Sequence, residues 1–328
     1  MTAVTRPDSG ARVLRIGTRA SALARTQTAQ VADALGAPVE IVPIVTEGDR
    51  SPAALTQLGG TGVFVSALRD ALLADEIDVA VHSYKDLPTA PTDGITIAAV
   101  PPREDPRDAL IARDGLTLGE LPVGSRVGTG APRRAAQLQA LGLGLEIVPL
   151  RGNVDTRLGK VAAGELDAVV LAYAGLRRLG RGGEVTEILD PIQVLPAPAQ
   201  GALAIECRAS DEAAIAVVAV LDDPDTRAAV NAERALLAAL EAGCSAPVGA
   251  LAVVAEDDDG SLELFLRASV TAVDGSAAVR LSATGATTDA EAVGRRLAAD
   301  LLAEGAAHMM MDMAAATPVS GPDLESST

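Results

Sequence analysis

The sequence predicts an α/β protein: two lobes on mixed, mainly parallel sheets, then a C-terminal α+β domain with a three-stranded antiparallel sheet and helices on one face. Three observations carry this expectation. Short apolar runs alternate with amphipathic helical stretches through the first 190 residues, the pattern of strand–helix–strand units. That pattern stops at a proline-rich segment and then restarts. After Asp222-Asp223-Pro224 it gives way to a long helix and three strands separated by Asp-Gly turns.

The elements follow in order. Val13–Gly17 is a strand, Ser21 caps a helix running to about Leu35, and Val39–Val45 is a second strand. Over Val63–Ala74, Phe64, Ala67, Leu68, Ala71 and Leu72 fall on one helical face. Asp78–His82 is a buried strand. Pro101-Pro102-Arg103-Glu104-Asp105-Pro106 is a turn-rich hinge. Beyond it, Arg126–Gly128, Leu145–Leu150 and Ala168–Ala172 are strands, and Pro132–Leu141 and Val154–Ala163 are helices. Proline opens the first of these helices, where the missing N–H costs nothing. Pro196-Ala197-Pro198 marks another break, followed by strand Ala202–Cys207 and helix Asp211–Leu221. Helix Thr226–Glu241, strands Ala250–Ala255, Leu262–Thr271 and Ala278–Ala283, and helix Asp289–Ala303 complete the third region, with hairpin turns at Asp259-Gly260 and Asp274-Gly275. Residues 1–11 and 308–328 lack periodicity and are expected to be disordered tails.

Composition narrows the function. A formal net charge of −17 repels nucleic acid and anionic membranes, and 1% aromatic residues leave few platforms for stacking on bases. Two cysteines, Cys207 and Cys244, form no disulfide framework and suit a reducing compartment. The first residues hold no apolar leader, and no apolar run is long enough to span a bilayer, so the expectation is a cytoplasmic protein.

The basic residues are unusual in kind. Of 27, all but Lys85 and Lys160 are arginine. They recur where strands turn into helices: Arg19 after the first strand, Arg133 and Arg134 after Gly128-Thr129-Gly130, Arg151 and Arg157 around Gly152-Asn153, and Arg177 and Arg178 after Gly175. Helix N-termini bind anions, and guanidinium forks grip carboxylates in pairs. Their repetition at such turns points to a ligand with many carboxylates. Asp86, in His82-Ser83-Tyr84-Lys85-Asp86-Leu87-Pro88, follows a buried strand and is either a turn aspartate or a carboxylate that stabilises a cation. His82 reads as a buried, satisfied histidine. Cys244, between a helix and a strand, has the setting of an exposed nucleophile, whereas Cys207 reads as inert core.

Taken together the motifs resemble the porphobilinogen deaminase family. The resemblance runs from about Val13 to Pro247 and continues more weakly beyond. It rests on Gly17-Thr18-Arg19-Ala20-Ser21, Val81–Pro88, Arg103–Asp108, Leu150–Asn153, Ala174–Gly180, Gln200-Gly201-Ala202 and Gly243-Cys244 in this order. It implies two lobes similar to type II periplasmic binding proteins, with domain 1 discontinuous at 12–101 and 200–221, domain 2 at 106–195, and domain 3 at 224–306. It implies a hydroxymethylbilane synthase activity: four porphobilinogen molecules joined to a dipyrromethane held covalently by Cys244, and the linear tetrapyrrole then released by hydrolysis. Asp86 is the implied catalytic group. Ser83, Lys85, Thr129, Arg133, Arg134 and Gly152 are implied to hold the cofactor, and Arg19, Ser21, Phe64, Arg151, Arg157, Arg178 and Gln200 the substrate. A monomer is expected, with product hand-off to uroporphyrinogen-III synthase. The chain departs from the family pattern at Glu47, Gln57 and Thr61, where lysine or arginine is usual in a glycine-rich lid, and at Ala131, where serine is common. A non-catalytic two-lobed anion-binding protein is the alternative.

Overall fold

The computed structural model describes residues 12–44, 61–242, 246–256 and 260–315, the side chains of 61–64 and 311–315 excepted. The described residues fall into two compact units. One draws on 1–105, 174–182 and 200–227, the other on 106–173, 183–199 and 228–328.

The first unit is built on β1 (Leu14–Thr18), α1 (Ala22–Leu35), β2 (Val39–Pro43), α2 (Thr61–Leu73), β3 (Val79–Ser83) and β4 (Ile95–Ala99). The chain returns much later to add β10 (Leu203–Arg208) and α6 (Glu212–Val218). Sheet order is β2-β1-β3-β10-β4. β1 pairs in parallel with β2 and β3, whereas β10 runs antiparallel to both β3 and β4. Ser21 begins α1 as expected, its Oγ accepting from Ala24 N at 3.2 Å. The two-residue alternation of β3 sorts its side chains. Val79 and Val81 join Leu14, Ile16, Ile205 and Cys207 in a core closed by Val31 and Ala32 of α1 and by Ala214 and Val218 of α6. Ala80 lies in the other core, with Leu68, Ala71 and Leu72 of α2 and with Ile77.

The second unit carries two sheets. The first contains β5 (Asp108–Ala112), β6 (Arg126–Thr129), β7 (Glu146–Pro149), β8 (Ala168–Ala172) and β9 (Glu187–Ile188) in the order β7-β6-β8-β5-β9. β6 is parallel to β7 and β8, and β5 is antiparallel to β8 and β9. α3 (Pro132–Ala140) and α4 (Val154–Ala162) follow β6 and β7, and α5 (Tyr173–Arg178) follows β8 and carries the chain back to the first unit. The second is the meander β11 (Val248–Glu256), β12 (Leu262–Thr271) and β13 (Ala278–Ala286), all antiparallel. α7 (Pro224–Ala239), α8 (Ala290–Ala303) and α9 (Ala306–Ala315) belong with it. Leu236, Leu240, Val248, Leu264, Leu266, Val270, Leu297 and Leu301 fill their shared core.

Several details depart from the sequence expectation. β4 and β5 lie beside proline-rich segments that read as breaks, yet their five-residue runs pair on sheet edges and interiors supplied by distant strands. The tail is ordered as α9 up to Ala315, because Ala306 is buried and Met309 and Met310 pack on the same core, a short stripe at helical spacing. Of Gly59-Gly60-Thr61-Gly62, Thr61 and Gly62 open α2; Gly59 and Gly60, like Glu47, Gln57, Asp259 and Cys244, lie outside the described residues.

Candidate functional site

Parallel β1 and β3 bring their carboxyl ends to one edge of the first sheet, where ligands of open α/β sheets bind. The turn after β1 supplies Arg19 and Ser21. The end of β3 supplies Ser83, and the single 3-10 turn Tyr84–Asp86 supplies Lys85 and Asp86. Arg19, Ser21, Gln27, His82, Ser83 and Asp86 line one cavity of about 90 Å³, together with Leu23, Ala24, Val65 and Val81. Asp86 is half-buried there. Gln27, absent from the sequence expectation, is buried and fixes Ser83: its Nε2 donates to Ser83 Oγ at 2.8 Å, and that hydroxyl donates to Gln27 Oε1 at 3.3 Å. The signal was present in the sequence, since Gln27 and Thr28 are polar residues on the buried stripe that α1 completes with Val31 and Ala32.

Because β10 enters antiparallel, its leading turn reaches the same edge. Lys85 Nζ donates to Gln200 Oε1 at 3.3 Å, Arg103 Nε to Gln200 O at 2.8 Å, and Arg178 Nη2 to Gly201 O at 2.8 Å. Three cations thus hold one turn. Burial pulls the Arg178 guanidinium below its usual range, opposed by the negative charge of Glu104.

In the second unit the arginines gather around β6 and β7. Gly130 lets β6 end against β7: a Cβ there would lie 2.4 Å from Leu150 O. Thr129, buried, accepts from Ala131 N at 3.3 Å and shapes the turn into α3. Arg133 and Arg134, in the first turn of α3, are both buried and share Asp108, the first residue of β5. Arg133 Nη2 reaches Oδ2 at 2.8 Å, and Arg134 reaches Oδ1 through Nη2 at 2.8 Å and Nε at 3.0 Å. Arg133 also donates to Leu195 O, and Arg134 to Val170 O. An internal carboxylate, quoted from the sequence only as the end of the Arg103–Asp108 motif and given no role there, therefore orients both. Burial lowers the Arg133 pKa and the charge of Asp108 opposes that shift.

Arg157 is placed by α4, whose N-cap Asn153 accepts from Thr156 N at 2.8 Å. Its Nε donates to Gly152 O at 2.8 Å. Burial, then the like charge of Arg134, pulls its pKa down, and among the described residues no carboxylate pairs with it. Arg151 is exposed beside Gly152. Two neighbouring desolvated cations, one without a counter-anion, form an anion-binding arrangement. Cys244 and the side chain of Phe64 lie outside the described residues. Cys207 is fully buried in β10, and burial pushes its thiol up to about 12, out of the range of a nucleophile.

Comparison with known proteins places the chain in a family. Residues 14–216 match the model of the porphobilinogen deaminase dipyromethane cofactor binding domain, and residues 227–303 that of the porphobilinogen deaminase C-terminal domain. Porphobilinogen deaminase of Mycobacterium tuberculosis is 63% identical over 305 residues, covering 91% of this chain and 98% of the relative. That of Nocardia farcinica is 62% identical over 312 residues, covering 93% and 90%. Among solved structures, a methionine-binding lipoprotein of Bacillus subtilis aligns over 63% of this chain and 89% of its own, with TM-score 0.39 and 11% identity, a partial likeness. With both family models matched in order and relatives of this identity along nearly the whole length, the chain belongs to the porphobilinogen deaminase family.

Proposed function

We propose that this enzyme builds its tetrapyrrole on a dipyrromethane attached through Cys244, with Asp86 as the charged group at the reacting centre. The family activity is that of a transferase, hydroxymethylbilane synthase, in porphyrin and heme biosynthesis, with porphobilinogen as substrate. The non-catalytic anion binder is accordingly not favoured.

The observation that carries the reading is Arg157, a partly buried guanidinium beside Arg134 without a carboxylate of its own. The donor set suits the cofactor, whose two rings each carry an acetate and a propionate: Ser83, Lys85, Thr129, Arg133, Arg134 and Gly152 would hold it. When bound, the dipyrromethane supplies the nucleophilic pyrrole carbon on which the chain grows. Arg19, Ser21, Phe64, Arg151, Arg157, Arg178 and Gln200 would hold substrate carboxylates and neighbouring rings. Positive charge develops on the substrate pyrrole as ammonia leaves, and the half-buried Asp86 carboxylate is preorganised to stabilise it. Gln27 keeps Ser83 turned toward the same cavity.

On this reading the chain has three domains, 12–101 with 200–221, 106–195 and 224–306. It works as a cytoplasmic monomer and passes its unstable product to uroporphyrinogen-III synthase. Among the described residues no helix is long and apolar enough to cross a membrane. Intact mass spectrometry tests the central point. Purified protein is expected to exceed its sequence mass by two pyrrole units and to colour with Ehrlich's aldehyde reagent, and Cys244→Ser to lose both. Active protein at its plain sequence mass would overturn the attachment.

A further inference from the structure

β10 holds a residue that its surroundings do not explain by packing. Leu203, Ile205 and Cys207 turn to one apolar core, but Glu206 is a carboxylate 1% exposed on the other face. Burying an ion pair here gains little over an apolar pair of the same volume, so stability alone does not account for it. Arg69 of α2 grips the carboxylate from one side, Nε at 3.2 and 3.1 Å from its two oxygens and Nη2 at 2.6 Å from Oε1. Arg69 is itself pinned, Nη1 donating to Thr92 Oγ1 at 2.7 Å. On the other side His82 Nε2 lies 3.1 Å from Glu206 Oε2. The register explains the meeting: Glu206 faces Ala80 and Ala204 faces His82, which makes Glu206 and His82 diagonal neighbours on the face that α2 covers. His82 lines the cavity that also holds Asp86 and Arg19.

We infer that Glu206, clamped by Arg69, is a positioning residue for the reaction, fixing the His82 imidazole as a third ionisable group in the wall of the Asp86 cavity. This rests on the reading of that cavity as the reacting centre. Burial pushes the Glu206 carboxyl up, but contacts with His82 and Arg69 outweigh it and hold it at about 2, so it stays an anion under working conditions. The charged groups that face His82 are Glu206 from β10, Arg69 from α2, and Asp86 and Arg19 across the cavity. Removing Glu206 takes away the buried group that His82 faces on β10 and frees the ring to leave the cavity wall.

The test is the split between kcat and KM for porphobilinogen turnover in three variants of the cofactor-loaded enzyme. In Glu206→Gln, whose amide oxygen can still accept from Arg69, kcat is expected to fall severalfold with KM nearly unchanged. In His82→Gln, which keeps an N–H near the ring nitrogen, kcat should be about tenfold or more lower with KM nearly unchanged. The chain has only two histidines, His82 and His308, so the imidazole NMR signals report loss of the Glu206 contact directly. If Glu206→Gln fails to fold, His82→Gln still decides. Wild-type kcat in His82→Gln, with Asp86→Asn inactive, overturns this inference alone. Full turnover in Asp86→Asn overturns the cavity reading and this inference with it.

Discussion

Asp108 illustrates what single residues carry here. It is fully buried, at the first position of β5, and answers two buried guanidiniums. Asp108→Ala would leave Arg133 and Arg134 without their shared counter-charge, so unfolding in urea should show a loss of about 3–5 kcal/mol. A loss near zero would mean that other groups hold the pair. The roles of Asp108, Gln27 and Glu206 share a reason for escaping sequence reading. Each meets its partner across a sheet or between distant segments: Arg69 and Glu206 are 137 positions apart, and Gln27 and Ser83 are 56 apart. Motif spacing sees a residue and its near neighbours, and so it singled out Arg19, Ser83 and Asp86, which follow β1 and β3 and line one cavity. What it had available for the others was a polar residue on an apolar stripe, as in Leu203-Ala204-Ile205-Glu206-Cys207.

The elements themselves were largely legible where hydrophobic period and turn chemistry agree. Ala168–Ala172 and Leu262–Thr271 are strands with the bounds their sequences suggest, and Ser21 caps α1 as its position implies. β4 and β5 were not, because prolines beside them read as interruptions, whereas an edge or antiparallel partner tolerates such flanks. Gly201 shows how tightly the turn before β10 is built. It has φ of 89°, and a Cβ would stand 2.3 Å from the carbonyl oxygen of Glu104, a backbone atom that cannot swing aside. Gly201→Ala is therefore expected to destabilise by about 2 kcal/mol or more, read as a lower midpoint in thermal unfolding. Since Arg178 donates to the Gly201 carbonyl, turnover should fall with it.

At the scale of the whole chain, acid should act first on the unit that contains β1. Asp78 is the hub: Arg12, Arg15 and Arg208 all bond it, and it is held well below the usual carboxylate range, their bonds outweighing burial. Asp211, bonded mainly by Arg12 and also by Arg208, is lowered to about 2. A carboxylate whose pKa is depressed on folding adds stability above its unfolded value, about 3.9, and that stability drains away as pH falls through the folded one. Unfolding should therefore steepen between about pH 4 and pH 2. Asp211→Asn should flatten that slope. Hydrogen exchange at pH 3 should show β1, β3 and β10 opening before the meander β11–β13; the reverse order would place the acid-sensitive charges elsewhere.

The central position of β10 has a consequence for biosynthesis. As the polypeptide emerges from the ribosome, β3 and β4 appear without the strand that separates them, and more than a hundred residues must be translated before it arrives. Until then Arg69 and His82 have no Glu206 to meet, and two strand edges stand open to chaperones or to neighbouring nascent chains. The amino-terminal portion must wait, unfinished, for a piece of itself made only after β5 to β9.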